Sequence, residues 1–132
     1  MLLMKLETKE RFAFLELAHY VALIDGDYSI REKNLMLEFC AEMGIEDKNY
    51  SDHSFDLEAI LRQFVSLKSK KIVILALMIL VHIDDKFDLY EYKLIQKIAE
   101  TFEVSELEIN LFSQWGKSVT GLYAQARFFI ED

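Results

Sequence analysis

Slid along itself by 59 residues, the chain matches without a gap, residues 22–45 pairing with residues 81–104. Ile24 pairs with Ile83, Asp25 with Asp84, Tyr28 with Phe87, Ile30 with Leu89, Glu32 with Glu91 and Leu35 with Leu94. Met36 with Ile95, Phe39 with Ile98, Met43 with Phe102 and Ile45 with Val104 continue the apolar positions. Few pairs are identities, but acidic and apolar positions agree together, which unrelated amphipathic helices reproduce less easily. The chain therefore reads as a duplicated helix-loop-helix unit, with copies at 12–45 and 71–104.

Each copy consists of an apolar helix, a short acidic loop and an amphipathic helix. Leu35, Met36, Phe39, Cys40 and Met43 form one stripe at helical spacing, and Leu94, Ile95, Ile98, Ala99 and Phe102 form its counterpart. Plain core packing accounts for both stripes. Capping boxes, in which a side-chain oxygen accepts from an orphan backbone N–H while a later Glu reaches back, occur at Ser29-x-x-Glu32, Asp88-x-x-Glu91 and Ser105-x-x-Glu108. Phe87 with Tyr92, and Val104 with Ile109, occupy staple positions around the last two. Helix starts are expected near residues 30, 89 and 106. Gly44 stands where a left-handed C-terminal residue would end the first amphipathic helix.

Residues 46–55 read as a loop, followed by a helix with Leu57, Ile60, Leu61, Phe64 and Val65 on one face. Leu107, Leu111, Phe112 and Trp115 indicate a sixth helix, and residues 122–130 a seventh behind Gly121. The expected fold is all-α, a compact bundle of about seven helices in one domain over residues 1–132. Composition agrees: no proline and four glycines leave too few turn formers for a β-sandwich or barrel. Hydrophobic residues make up 52% of the chain, enough for a core with a surplus for an interface.

A net charge of −8 argues against a broad nucleic-acid-binding face and favours cations or basic partners. Cys40 is the only cysteine, and the apolar start at Met1 is too short for a secretory signal, so a cytoplasmic location is expected. The longest apolar run, residues 72–81, continues only to Ile83 and is flanked by Lys70-Lys71 and Asp84-Asp85. That is too short for a membrane span of about 20 residues, and a buried helix is expected.

The conspicuous polar feature is the pair of acidic loops. Asp25-Gly26-Asp27 and Asp84-Asp85-Lys86-Phe87-Asp88 are each followed by a helix carrying Glu32 or Glu91. Oxygen ligands so concentrated suit a hard cation, Ca²⁺ or Mg²⁺, and the candidate metal residues are Asp25, Asp27, Glu32, Asp84, Asp85, Asp88 and Glu91. The EF-hand pattern is rejected, because Ile30 and Met36 replace its glycine and glutamate, while Lys86 and Ile95 spoil the second loop. The competing reading is structural: Ser29, Glu32, Asp88 and Glu91 are already explained as helix caps. Asp25 and Asp84 are less explained, since a helix C-terminus disfavours an anion.

His82 precedes Asp84, but its repeat counterpart is Leu23, so a packed or hydrogen-bonded histidine is expected. His19 and His53 lack zinc-ligand spacing, and Cys40 lies on the apolar stripe, so neither zinc nor thiol catalysis is inferred. Lys68, Lys70 and Lys71 read as a solvated loop before the buried helix. No phosphate loop, nucleophile elbow or His-Glu-x-x-His pattern occurs.

The paired segments at 22–32 and 81–91 resemble the TerB-like family of tellurite-resistance and stress-associated domains, over roughly residues 10–115. Members look like duplicated helical bundles with an Asp-Gly pair closing one helix and a Glu inside the next, as Asp25, Gly26 and Glu32 stand here. Asp84 and Glu91 repeat the pattern, and Asp85 departs from it by replacing the glycine. The resemblance implies a non-catalytic stress-response module that requires no cofactor, could bind a divalent cation or a protein partner through its acidic loops, and could associate peripherally with membrane. The alternative is a structural homodimer whose carboxylates only cap helices and whose Phe128, Phe129 and Ile130 help form the interface.

Overall fold

Each helix begins where a side chain can take up the backbone N–H groups that a first turn leaves unpaired. A computed structural model of the chain describes residues 2–24, 26–48, 50, 54–84 and 88–131. After a 3-10 turn at Leu3–Lys5 come α1 (Thr8–Leu23), α2 (Ile30–Met43), α3 (Leu57–Leu61), α4 (Leu67–His82), α5 (Leu89–Thr101) and α6 (Glu106–Ile130). No strand occurs among the described residues. The fold is all-helical.

The side chains of Ser29, Asp56, Ser66, Asp88 and Ser105 cap α2 through α6 in turn. The starts expected near 30, 89 and 106 therefore stand at Ile30, Leu89 and Glu106. Val104 and Ile109 are both buried at the start of α6, whereas the Phe87–Tyr92 staple falls outside the described residues. At the other end of α2, Gly44 has φ +70° and the Ile45 N–H donates to the Cys40 carbonyl at 3.0 Å. After α5 the same closure recurs with Glu103 at φ +60° and the Val104 N–H donating to Ala99 at 2.9 Å. A side chain in that left-handed region is strained by roughly 1–2 kcal/mol, so Glu103 is held there by the surrounding fold.

Helix bounds recur at a fixed interval. Thr8 and Leu67, Leu23 and His82, and Ile30 and Leu89 are all 59 residues apart, as are the caps Ser29 and Asp88. The two helix pairs begin four residues earlier than the segments expected from 12 and 71.

Helix α4 is the centre of the bundle, because residues 72–81 are apolar all round and all but Leu75 are buried. It packs chiefly on α6, and also on α5 and α1. At the crossing with α6, a Cβ added to Gly116 would meet Met78 backbone atoms at 2.7 Å, so only glycine permits this approach. The cluster closes with Phe14 edge-on to Phe39 and Phe64 edge-on to Phe102.

Three expectations are corrected. The sixth and seventh helices are one 25-residue helix, so six α-helices are described rather than seven. Gly121 lies inside it in α conformation, and a helical glycine costs only about 1 kcal/mol, too little to stop a helix anchored at Ile109, Gly116 and Val119. The helix expected to reach Val65 ends at Leu61, and Val65 is exposed. Lys68, Lys70 and Lys71 belong to the first turns of α4 rather than to a loop. Lys71 pairs with Glu108 at 2.8 Å, and Lys70 lies over the Phe102 ring.

Candidate functional site

Because Ser29 and Asp88 cap their helices, Glu32 and Glu91 both stand at the third helical position, and the Glu32 side chain turns back to complete a capping box. The Ser29 hydroxyl accepts from the Glu32 N–H at 3.1 Å, and one carboxylate oxygen of Glu32, Oε1, accepts from the Ser29 N–H at 3.1 Å. At the start of α5 Asp88 Oδ1 accepts from the backbone of Tyr90 at 2.8 Å and of Glu91 at 3.1 Å. Capping is thus real, but it occupies only one oxygen of Glu32.

The remainder of the Glu32 carboxylate is not accounted for by the cap. Glu32 is 2% exposed and Glu91 5%. Oε2 of Glu32 is shut away from solvent and receives no backbone N–H or hydroxyl hydrogen from a described residue. The two carboxyls come within hydrogen-bonding reach of each other, so a side chain from α2 meets its counterpart from α5 in the interior. Two ionised carboxylates cannot share such a place cheaply. Burial, reinforced by the charge of Asp84 and opposed by hydrogen bonds from Ser29 and Glu91, pushes Glu32 up to about 7. Among the described residues, the groups that act on it are Ser29, Glu91 and Asp84. Near neutral pH the pair is poised to hold one proton between two carboxyls, or a positive charge in its place.

The other candidate residues are distributed around this pair. Asp84 follows Ile83, the last residue of α4's C-cap, and is half-buried. Asp88 is half-buried at its cap and Asp27 is exposed. Asp25 and Asp85 lie outside the described residues, as does His53. Among the described residues no three His, Cys, Asp or Glu side chains are gathered as a metal-binding group. The pair itself offers only carboxylate oxygen, a donor set for Ca²⁺ or Mg²⁺ rather than for zinc.

Several buried or part-buried polar contacts were not legible in the sequence. His19, in the middle of apolar α1, meets Asp47 at 2.8 Å and lies between the rings of Tyr28 and Tyr50. They border a cavity of about 330 Å³. Cys40 is buried nearby, and burial together with Asp47 pushes its thiol up to about 12, which leaves it unreactive at neutral pH. The Ser69 hydroxyl donates to buried Glu10 at 2.9 Å, joining α4 to α1. His82, expected to be hydrogen-bonded, meets Ser113 at 3.0 Å. In each case both partners are ordinary at their own positions, and only tertiary packing brings them together.

No helix among the described residues is long and apolar enough to cross a membrane. Comparison with protein-family models, with curated proteins and with solved structures returns no match, so the functional reading rests on the residues of this chain alone.

Proposed function

We propose that the chain is a non-catalytic module of the TerB-like kind, built on a duplicated helix-loop-helix unit, which binds a divalent cation between its two acidic loops. The observation that carries this reading is the meeting of Glu32 and Glu91 in the interior, where Oε2 of Glu32 receives no backbone N–H or hydroxyl hydrogen from a described residue. A buried carboxylate pair is costly as pure scaffolding, because two like charges are held together away from water. It becomes favourable when Ca²⁺ or Mg²⁺ displaces the shared proton. Glu32 and Glu91 supply the central oxygens of the proposed site, and Asp84 adds negative charge beside them. Asp25, Asp27, Asp85 and Asp88 are the loop carboxylates available to complete it. Support for the duplication is the 59-residue interval shared by helix bounds, caps and left-handed closures.

The module would act by coupling cation occupancy to the relative position of α2 and α5, whose starts carry the ligands, and would present that state to a protein partner in the cytoplasm. The test is titration of Ca²⁺ and Mg²⁺ into chelator-treated protein with thermal unfolding followed in parallel. Saturable binding that raises the melting temperature supports the reading, since selective binding to the folded state stabilises by mass action. Absence of binding by both ions at millimolar concentration refutes it.

A second reading is favoured by a different observation. Phe128, Phe129 and Ile130 at the end of α6 are each 79% exposed, as an unpartnered interface would be. In that reading the chain is a structural homodimer and its carboxylates are caps alone. A dimer in sedimentation that dissociates on replacing the three residues by serine supports it; a strictly monomeric wild type refutes it.

A further inference from the structure

The chain is acidic overall, with 23 Asp and Glu against 15 Lys and Arg. One cavity reverses that sign. It occupies about 580 Å³ where the start of α2, the end of α4 and the second half of α6 come together. Among the described residues, Arg31, Lys117 and Arg127 line it together with His82 and the carboxylate of Asp84. Its size is that of a small-molecule site. Among the described residues, Lys117 and Arg127 take part in no ion pair, whereas Lys71 on the same pair of packed helices is matched to Glu108.

The floor of the cavity points the same way. Gly121 interrupts an otherwise good helical sequence, and a Cβ placed there would meet nothing within 4 Å. No close packing requires it, in contrast to Gly116. Its effect is to leave open the space beside Lys117, one turn earlier on α6. The ring of His82, held below its ordinary pKa by burial and then by the Lys117 ammonium, contributes a neutral polar edge. The Arg127 guanidinium and the Lys117 ammonium beside an open concavity match the oxygens of a phosphate, which arginine contacts in bidentate fashion and lysine as a point charge.

We propose that this cavity is a binding site for the dianionic phosphate group of a phosphomonoester, held by Lys117 and Arg127. The site adjoins the carboxylate pair at Asp84 but does not depend on a cation being bound there. It assigns to the module a small anionic ligand, in addition to the cation.

The test is calorimetric titration of inorganic phosphate and of adenosine monophosphate into the full chain in chelator. Retention on phosphatidylcholine vesicles with and without phosphatidate distinguishes a lipid headgroup from a soluble ester. The expected result is saturable binding of at least one of these probes, weakened about tenfold or more in Lys117→Gln/Arg127→Gln, since each charged hydrogen-bonding partner contributes that order. Gly121→Phe, which fills the cavity without removing a charge, is expected to block binding as well. Because the measurement is made in chelator, Glu32→Gln leaves it unchanged, so failure of the cation site and failure of the phosphate site are told apart. Absence of binding by every probe overturns the proposal. So does binding that survives both the double substitution and Gly121→Phe.

Discussion

Replacing Glu32 by glutamine keeps the shape of the site and removes its titration. The amide oxygen can still accept from the Ser29 N–H as Oε1 does now, and the amide N–H₂ can donate to Glu91. Glu32 stands at about 7 in the folded protein against an ordinary 4.5. Below pH 4.5 both folded and unfolded states hold the proton and the site carries no penalty. Between 4.5 and about 7 the folded state keeps a proton that the unfolded chain has released, so stability falls as pH rises, and above about 7 the loss is complete. The difference corresponds to about 3 kcal/mol. Without added cation, Glu32→Gln should therefore be more stable than wild type by about 2–3 kcal/mol near pH 8 and nearly equal to it near pH 4.5. Urea unfolding followed by circular dichroism, in chelator and across that pH range, reads the difference directly. A variant no more stable than wild type near pH 8, with parallel pH profiles, would falsify the buried pair as the source of strain.

Other perturbations probe the scaffold. Gly116→Ala should destabilise by about 1–3 kcal/mol, because its Cβ meets Met78 at 2.7 Å, while Gly121→Ala should stabilise by up to about 1 kcal/mol in open space. Equal effects of the two alanines in chemical denaturation would contradict the α4–α6 crossing described above. Ser69→Ala removes a buried hydrogen bond to the Glu10 carboxylate and should cost about 1–3 kcal/mol. A melting temperature within error of wild type would mean that this contact does not hold α1 to α4.

What could be read from the sequence was mostly local. Ser29, Asp88 and Ser105 signal helix starts because a cap and its partner lie within three residues, and Gly44 signals an end because a positive φ favours glycine. Glu103 takes the same conformation without glycine, so nothing in its residue type announces the end of α5. Gly121 misleads for a related reason: its propensity cost is small beside the packing of the helix that contains it. The acidic residues themselves were legible, and Glu32 and Glu91 occupy matching positions 59 residues apart. Their meeting in space was not. A capping glutamate has one oxygen engaged by the backbone and a second whose surroundings depend on what packs across from it. The same limit applied to His19 with Asp47, 28 residues apart, and to the cavity around Lys117 and Arg127.

The central claim is that Glu32 and Glu91 hold either a shared proton or a cation. Carbon-detected NMR of the glutamate side-chain carboxyls, titrated with pH in chelator and again in saturating Ca²⁺, tests it most directly. The account predicts a Glu32 carboxyl that titrates near 7 in chelator and moves below its ordinary range when Ca²⁺ is bound. A Glu32 carboxyl that titrates at its ordinary value and is indifferent to Ca²⁺ would contradict it.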